Sequence, residues 1–94
     1  MPLYKVAHLR EQGQDIIVVP LDRSFELKLE QDKNEIIINL QLHARGAKLA
    51  GLVIPVWDAG DGQLKFIAPQ QWHAFFRSLN WTFVQANLNT TISW

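Results

Sequence analysis

The segment "FIAPQQWHAFFRSLNW" (66–81) places two tryptophans, three phenylalanines, a histidine and an arginine within 16 residues. Pro69 suits the first turn of a helix, where its missing N–H costs nothing. Apolar residues then recur at the i, i+3, i+4 and i+7 spacing of one helical face: Trp72, Phe75, Phe76 and Leu79. This spacing predicts a helix over 69–79 whose aromatic face belongs to the core.

Three polar residues, Gln70, His73 and Arg77, fall on the flank of that helix. A cationic side chain near the positive N-terminal end of a helix can hold an anion, so they are candidate ligand-binding residues. The alternative is an ordinary solvated flank. A base-stacking surface for RNA is disfavoured, because Phe66 and Trp81 have no Lys or Arg interleaved with them.

A second candidate is the loop "PLDRSF", in which Asp22 and Arg23 follow a predicted buried strand. Loops just past the C-terminal end of a strand are favoured ligand positions, because the rigid sheet presents their side chains. Ordinary loop composition explains the same residues. The aspartates of "DAGDG" (58–62) predict a hairpin turn, since a calcium loop needs alternating ligands and a closing glutamate.

No catalytic residue, metal site or cofactor is predicted. The chain has no cysteine, and its histidines (His8, His43, His73) lack metal-ligand spacing. Ser24, His73 and Asp58 could form a hydrolytic triad on paper, but no G-x-S-x-G pattern supports it. An enzyme is therefore the third function considered, after an interaction protein and a small-molecule binder.

Length and charge limit the remaining classes. A chain of 94 residues with 48% apolar residues suits one domain, 1–94. Nine basic and nine acidic side chains cancel, which gives no support for nucleic-acid binding. The N-terminal "MPLYKVAHLREQ" has no signal-peptide core, and no run is long enough to span a membrane. We expect a cytoplasmic protein with neither nucleic-acid nor membrane partner.

The middle of the chain fits two structures. "FELKLE" and "IIINLQLHA" alternate as a hairpin turning at "QDKN" would. A helix over 32–49 has other support, because Asp32 and Glu35 form a capping pair and Gly51 follows as a terminator. We favour the helix. It would carry a core stripe (Ile36, Ile37, Leu40, Ala44, Ala47) and a second apolar face (Ile38, Leu42, Leu49) directed towards a partner.

The other predicted elements are extended. Strands are predicted at 3–9, 15–20, 52–57 and 64–68, with 81–84 extended and a closing strand at 88–94. The order predicts an α+β fold, ferredoxin-like β-α-β-β-α-β with extra N- and C-terminal strands, in which two helices cover one face of an antiparallel sheet.

The sequence favours a homodimer. All four tryptophans lie in the weakly charged second half, and self-association would cover that surface. The closing strand, with Leu88, Ile92 and Trp94, should pair with its own sheet or with a second copy. We therefore predict a homodimeric interaction protein. The alternative binds an anionic or aromatic metabolite in a dimer cleft lined by Trp57, Trp81, His73 and Arg77.

The stretch "LAGLVIPVWDAGDGQLKFIAPQQWHAFFRSLNW", with the ending "NLNTTISW", resembles small proteins of unknown function carried on mobile gene cassettes of bacterial integrons. The resemblance covers about the last half of the chain. It implies a bacterial accessory protein and brings no activity, substrate or site residue with it.

Overall fold

A computed structural model of the chain describes residues 3–11, 13–60 and 64–93. Five strands form one sheet: β1 (Leu3–Glu11), β2 (Gln14–Leu21), β3 (Leu52–Asp58), β4 (Leu64–Phe66) and β5 (Thr90–Ser93). The α-helices are α1 (Glu30–Gly46), α2 (His73–Arg77) and α3 (Trp81–Ala86), and 3-10 helices span Arg23–Leu27 and Gln70–Trp72. The strand order is β4-β3-β2-β1-β5.

The centre of the sheet is a parallel pair, β2 and β3, and the other neighbouring strands are antiparallel. The run Ile16–Val19 of β2 is buried on both faces, as is usual for a strand inside a covered sheet. Parallel neighbours need a long crossover connection, and α1 supplies it.

Alternate residues of the strands belong to two different hydrophobic clusters, one on each face of the sheet. Ile17, Val19, Val53 and Ile92 pack with Leu40 and Ala44 of α1. Ile16, Val18, Ile54 and Val56 pack with Trp72, Phe76 and Val84 of the later helical segments. Because successive side chains of a strand alternate between faces, α1 lies on one face and the short segments cover residues of the other parity.

A single side chain fastens α1 to the start of β3. Gln41 Nε2 donates to the Gly51 carbonyl at 3.1 Å, and Gln41 Oε1 accepts from the Val53 N–H at 2.9 Å. Gly51 has φ +123°, and a Cβ there would lie 2.6 Å from the Asp15 carbonyl oxygen. Only glycine therefore lets the chain enter β3 this close to β2.

The C-terminal strand β5 pairs with β1 of its own sheet, which is one of the two pairings that the sequence predicted for it. Asn89 extends the pairing beyond β5: its Oδ1 accepts from the His8 N–H at 2.9 Å and its Nδ2 donates to the His8 carbonyl at 3.1 Å. The Asn89 N–H also donates to the Val6 carbonyl at 3.0 Å, so Asn89 makes three hydrogen bonds to β1 where β5 begins.

The α+β class and the helix in the middle of the chain are confirmed. The ferredoxin-like order is not found, because the strand order differs and the sheet is mixed instead of antiparallel. The predicted 69–79 helix is divided into short segments. Its aromatic stripe does belong to the core: Trp72 and Phe76 are buried, and Phe75 and Leu79 pack against them.

Two local predictions are corrected. The segment 81–84 is helical, not extended, because Asn80 caps α3 by accepting from the Phe83 N–H at 2.7 Å. The helix α1 begins at Glu30 with Leu29 at the N-cap, so Asp32 and Glu35 do not form the predicted capping pair.

Replacing Gly51 with alanine should lower the free energy of unfolding by about 2 kcal/mol or more, because the substitution combines a positive φ with a backbone clash. Gly46→Ala is the matched control: it meets nothing within 4 Å and should change stability by no more than about 1 kcal/mol. Urea unfolding of both variants tests this, and equal effects would contradict it.

Candidate functional site

The parallel strands β2 and β3 end at the same edge of the sheet, where open α/β sheets hold their ligands. Asp22 and the 3-10 helix Arg23–Leu27 follow β2 there, and the loop after Asp58 follows β3. This edge, which we call the carboxyl edge, borders a pocket on the β2 side.

The pocket has a volume of about 240 Å³ and a mixed lining. Tyr4, Asp22, Ser24 and Lys28 supply polar atoms, and Phe25 and Ile36 supply apolar walls. One carboxylate and one ammonium group therefore border a partly apolar space. Such a lining suits a small molecule with a charged group on an apolar body.

Asp22 accepts two hydrogen bonds from the segment that follows β2. Its Oδ2 accepts from Ser24 Oγ at 2.9 Å, and its carbonyl oxygen accepts from the Phe25 N–H at 2.9 Å, which starts the 3-10 helix. Arg23 lies away from the pocket: its guanidinium is 3.5 Å from the position that a Cβ on Gly60 would occupy. Of the two predicted loop residues, only Asp22 lines the pocket.

An ion pair holds this loop to the hairpin of β3 and β4. Lys65 donates to the Glu26 carboxylate, and the Phe25 and Trp57 rings meet edge to face with centroids 5.1 Å apart. The Lys65 hydrogen bond and charge lower the pKa of Glu26, with smaller contributions from Trp57 and Lys33, against a weaker opposing effect of desolvation. The Trp57 indole N–H is buried and makes no hydrogen bond of normal geometry among the described residues, so Lys65 remains the main cause of the lowered Glu26 pKa.

The predicted cleft of Trp57, Trp81, His73 and Arg77 is not assembled within the chain. Trp57 lies four residues after Val53 on β3, so its side chain points to the same face of the sheet, the one that α1 covers, and it contacts Phe25. His73 lies on the other face, where its ring is 5.3 Å from that of Phe66.

The polar flank formed by Gln70, His73 and Arg77 is also less available for binding a ligand than the sequence predicted. His73 Nε2 lies 2.9 Å from the Ala68 carbonyl oxygen, so the histidine fastens the helix start to the preceding loop. Gln70 and Arg77 are exposed. Because α2 has five residues, it offers little of the helix dipole that the anion-binding hypothesis required.

Trp81 lines a different and more open pocket of about 350 Å³, with Lys5, Asp22, Gln85 and Leu88 among its neighbours. Asp22 lies between this pocket and the pocket of the carboxyl edge, since it lines both.

The predicted interface residues of the C-terminal strand have mixed positions. Ile92 is 1% exposed and packs in the cluster under α1, so its side chain is not available to a second copy. Leu88 is half-buried against the other cluster. Trp94 lies outside the described residues.

The outer face of α1 exposes two large apolar side chains among its polar residues. Ile38 is 58% exposed and Leu42 is 57% exposed, on the side of the helix opposite Leu40 and Ala44. The helical interpretation of the sequence identified both as a second apolar face, whereas its third member, Leu49, packs in the core. Sequence reasoning missed the exposed Leu27 (87%) and Leu29 (72%), which the hairpin pattern placed among alternating core residues.

Across the described ranges, no three His, Asp or Glu side chains converge to hold a metal ion. None of the helices in these ranges is both long and apolar enough to cross a membrane. No family model matches the chain, and no curated protein or solved structure is significantly similar to it. The resemblance to integron-cassette proteins therefore stays a prediction.

Lys65→Met should raise the pKa of Glu26 towards its ordinary value, because it removes the main cause of the lowering. A carboxyl whose pKa is lower in the folded than in the unfolded state stabilises the fold. This stabilisation is fully present above the unfolded-state pKa and is lost as the pH falls through the folded-state pKa. NMR titration of the Glu26 carboxyl carbon measures the shift, with Lys5→Met as the control. An unchanged Glu26 titration in Lys65→Met would contradict the assignment.

Proposed function

We propose that this protein acts by contact, as a small non-catalytic interaction protein, and that the outer face of α1 is its contact surface. The observation that carries the proposal is the exposure of Ile38 and Leu42, 58% and 57%, on a helix whose other side is packed. The cytoplasmic location and the bacterial accessory role predicted from the sequence belong to the same proposal.

The fold does not need these two side chains. Leu40 and Ala44 anchor α1 to the sheet, and Gln41 fastens it to β3. Ile38 and Leu42 are one helical turn apart, so they form one patch. Fully burying a side chain of this size contributes roughly 1.5–3 kcal/mol, and here more than half of each surface remains for a partner to cover.

The test compares the double variant I38K/L42K with T82K/Q85K, which places the same charges on exposed polar positions of α3, away from α1. We expect both to unfold within about 1 kcal/mol of the natural chain, since no core contact is lost. In extract of the cells that carry the gene, the natural chain and T82K/Q85K should sediment faster than a 10.8 kDa protein, and I38K/L42K should not. Equal sedimentation of all three would reject the contact surface.

A second candidate function is small-molecule binding in the pocket of the carboxyl edge. The opposite charges of Asp22 and Lys28 beside Phe25 and Ile36 favour it. With about 240 Å³, the pocket is below the usual range for drug-sized ligands, so the ligand would be small. An anionic group would be held by Lys28 and an aromatic or aliphatic body by the apolar walls.

Benzoate is a suitable probe of this second candidate. Its binding should shift the amide NMR signals of Ser24 and Phe25, and Lys28→Met should weaken it by roughly tenfold, the value of one charge-assisted contact. Lys48→Met, a change of an exposed lysine outside the pocket, is the control. Equal binding of uncharged benzamide, or no effect of Lys28→Met, would show that the pocket does not recognise anions.

A further inference from the structure

We propose, resting on the α1 contact surface, that its partner is a second copy of this chain, and that the two α1 helices pack antiparallel about a two-fold axis. The argument starts from the four exposed residues Glu35, Ile38, Leu42 and Arg45. Their spacing of three, four and three residues places them on one helical stripe, as the a and d positions of a short coiled coil.

An antiparallel pair of such helices matches an a position of one chain with a d position of the other. With the two-fold axis beside residue 40, Ile38 faces Leu42 of the partner subunit, and Glu35 faces Arg45 of the partner subunit. The two-fold axis repeats each match. The stripe is therefore complementary to itself: four apolar side chains at the centre and one ion pair at each end.

The charges at the two ends are available for this contact. Within the described ranges, neither Glu35 nor Arg45 belongs to an ion pair, and both are exposed. A parallel pair would place equal charges opposite each other at both positions, which disfavours that arrangement. The sign of the charges thus selects the antiparallel orientation.

The size of the contact indicates a weak, reversible dimer. Seventeen helical residues at 1.5 Å per residue give a helix of about 25 Å. A contact along one such helix falls at the low end of specific interfaces, well under about 1,600 Å². Association should consequently depend on protein concentration and, through its two ion pairs, on ionic strength.

Charge reversal gives a test that depends on register. E35R places a guanidinium opposite Arg45 of the partner subunit, and R45E places a carboxylate opposite Glu35 of the partner subunit, so each variant alone repels itself twice. An equimolar mixture of the two restores opposite charges in both pairs, and so does the double variant E35R/R45E.

Sedimentation equilibrium of the full chain at low ionic strength measures the outcome. The dissociation constant should rise at least roughly tenfold for E35R and for R45E, and return to within roughly threefold of the natural value for the mixture and for E35R/R45E. The variant I38K/L42K should sediment as a monomer. Circular dichroism confirms that each variant is folded, as expected for changes at exposed positions.

The failures are distinguishable. If I38K/L42K dissociates the dimer but the mixture does not recover, α1 is a contact surface with another geometry, and the antiparallel register is wrong while the proposed function stands. A natural chain that is monomeric at every concentration rejects the second copy, and the extract experiment then decides the proposed function. A dimer that survives I38K/L42K assembles elsewhere, for example along the open edge of β5; it rejects the second copy as the partner of α1, and the extract experiment again decides the proposed function.

Discussion

The parallel pairing of β2 with β3 is the constraint on which the rest of the structure depends. Parallel neighbours cannot be joined by a tight turn, so residues 22–51 must return the chain across one face of the sheet. The helix α1 makes this crossover, and the crossover closes at Gly51 beside the Asp15 carbonyl and under Gln41. The same pairing brings the ends of both strands to the carboxyl edge and leaves the outer face of α1 in solvent.

Local pattern was sufficient for most elements and insufficient for their arrangement. Alternation and β-branched runs identified β1, β2 and β3, and the i, i+3, i+4, i+7 stripe identified Trp72 and Phe76 as core. The segment 36–42 satisfies a period of two as well as a helical stripe, so only the packed structure decides it. The strand order depends on pairings such as Tyr4 with Ile92, between opposite ends of the chain, for which no local signal exists.

The candidate site divides in the same way. Asp22 was predictable because it follows a buried strand, and that relation depends on local order alone. The cleft predicted from Trp57, Trp81, His73 and Arg77 does not form within one chain, because Trp57 lies on the α1 face and His73 packs on Phe66 of the other face. The number of aromatic residues indicates how much apolar surface must be buried. Which of them contact each other depends on the face of the sheet to which each strand residue points, and the sequence does not show what covers each face.

The fold alone accounts for the pocket, which supports the second candidate function, but it does not account for the exposed Ile38 and Leu42, which support the first. Segments that follow the carboxyl ends of sheet strands commonly border a crevice, and the segment after β2 does so here. The presence of the pocket is therefore weak evidence for a ligand until a charged probe distinguishes Lys28 from other lysines. Nothing in the crossover requires Ile38 and Leu42 at solvent-facing positions, where polar residues would preserve every core contact of α1. Two such side chains one helical turn apart form an apolar patch, and this patch is the observation behind the proposed contact surface.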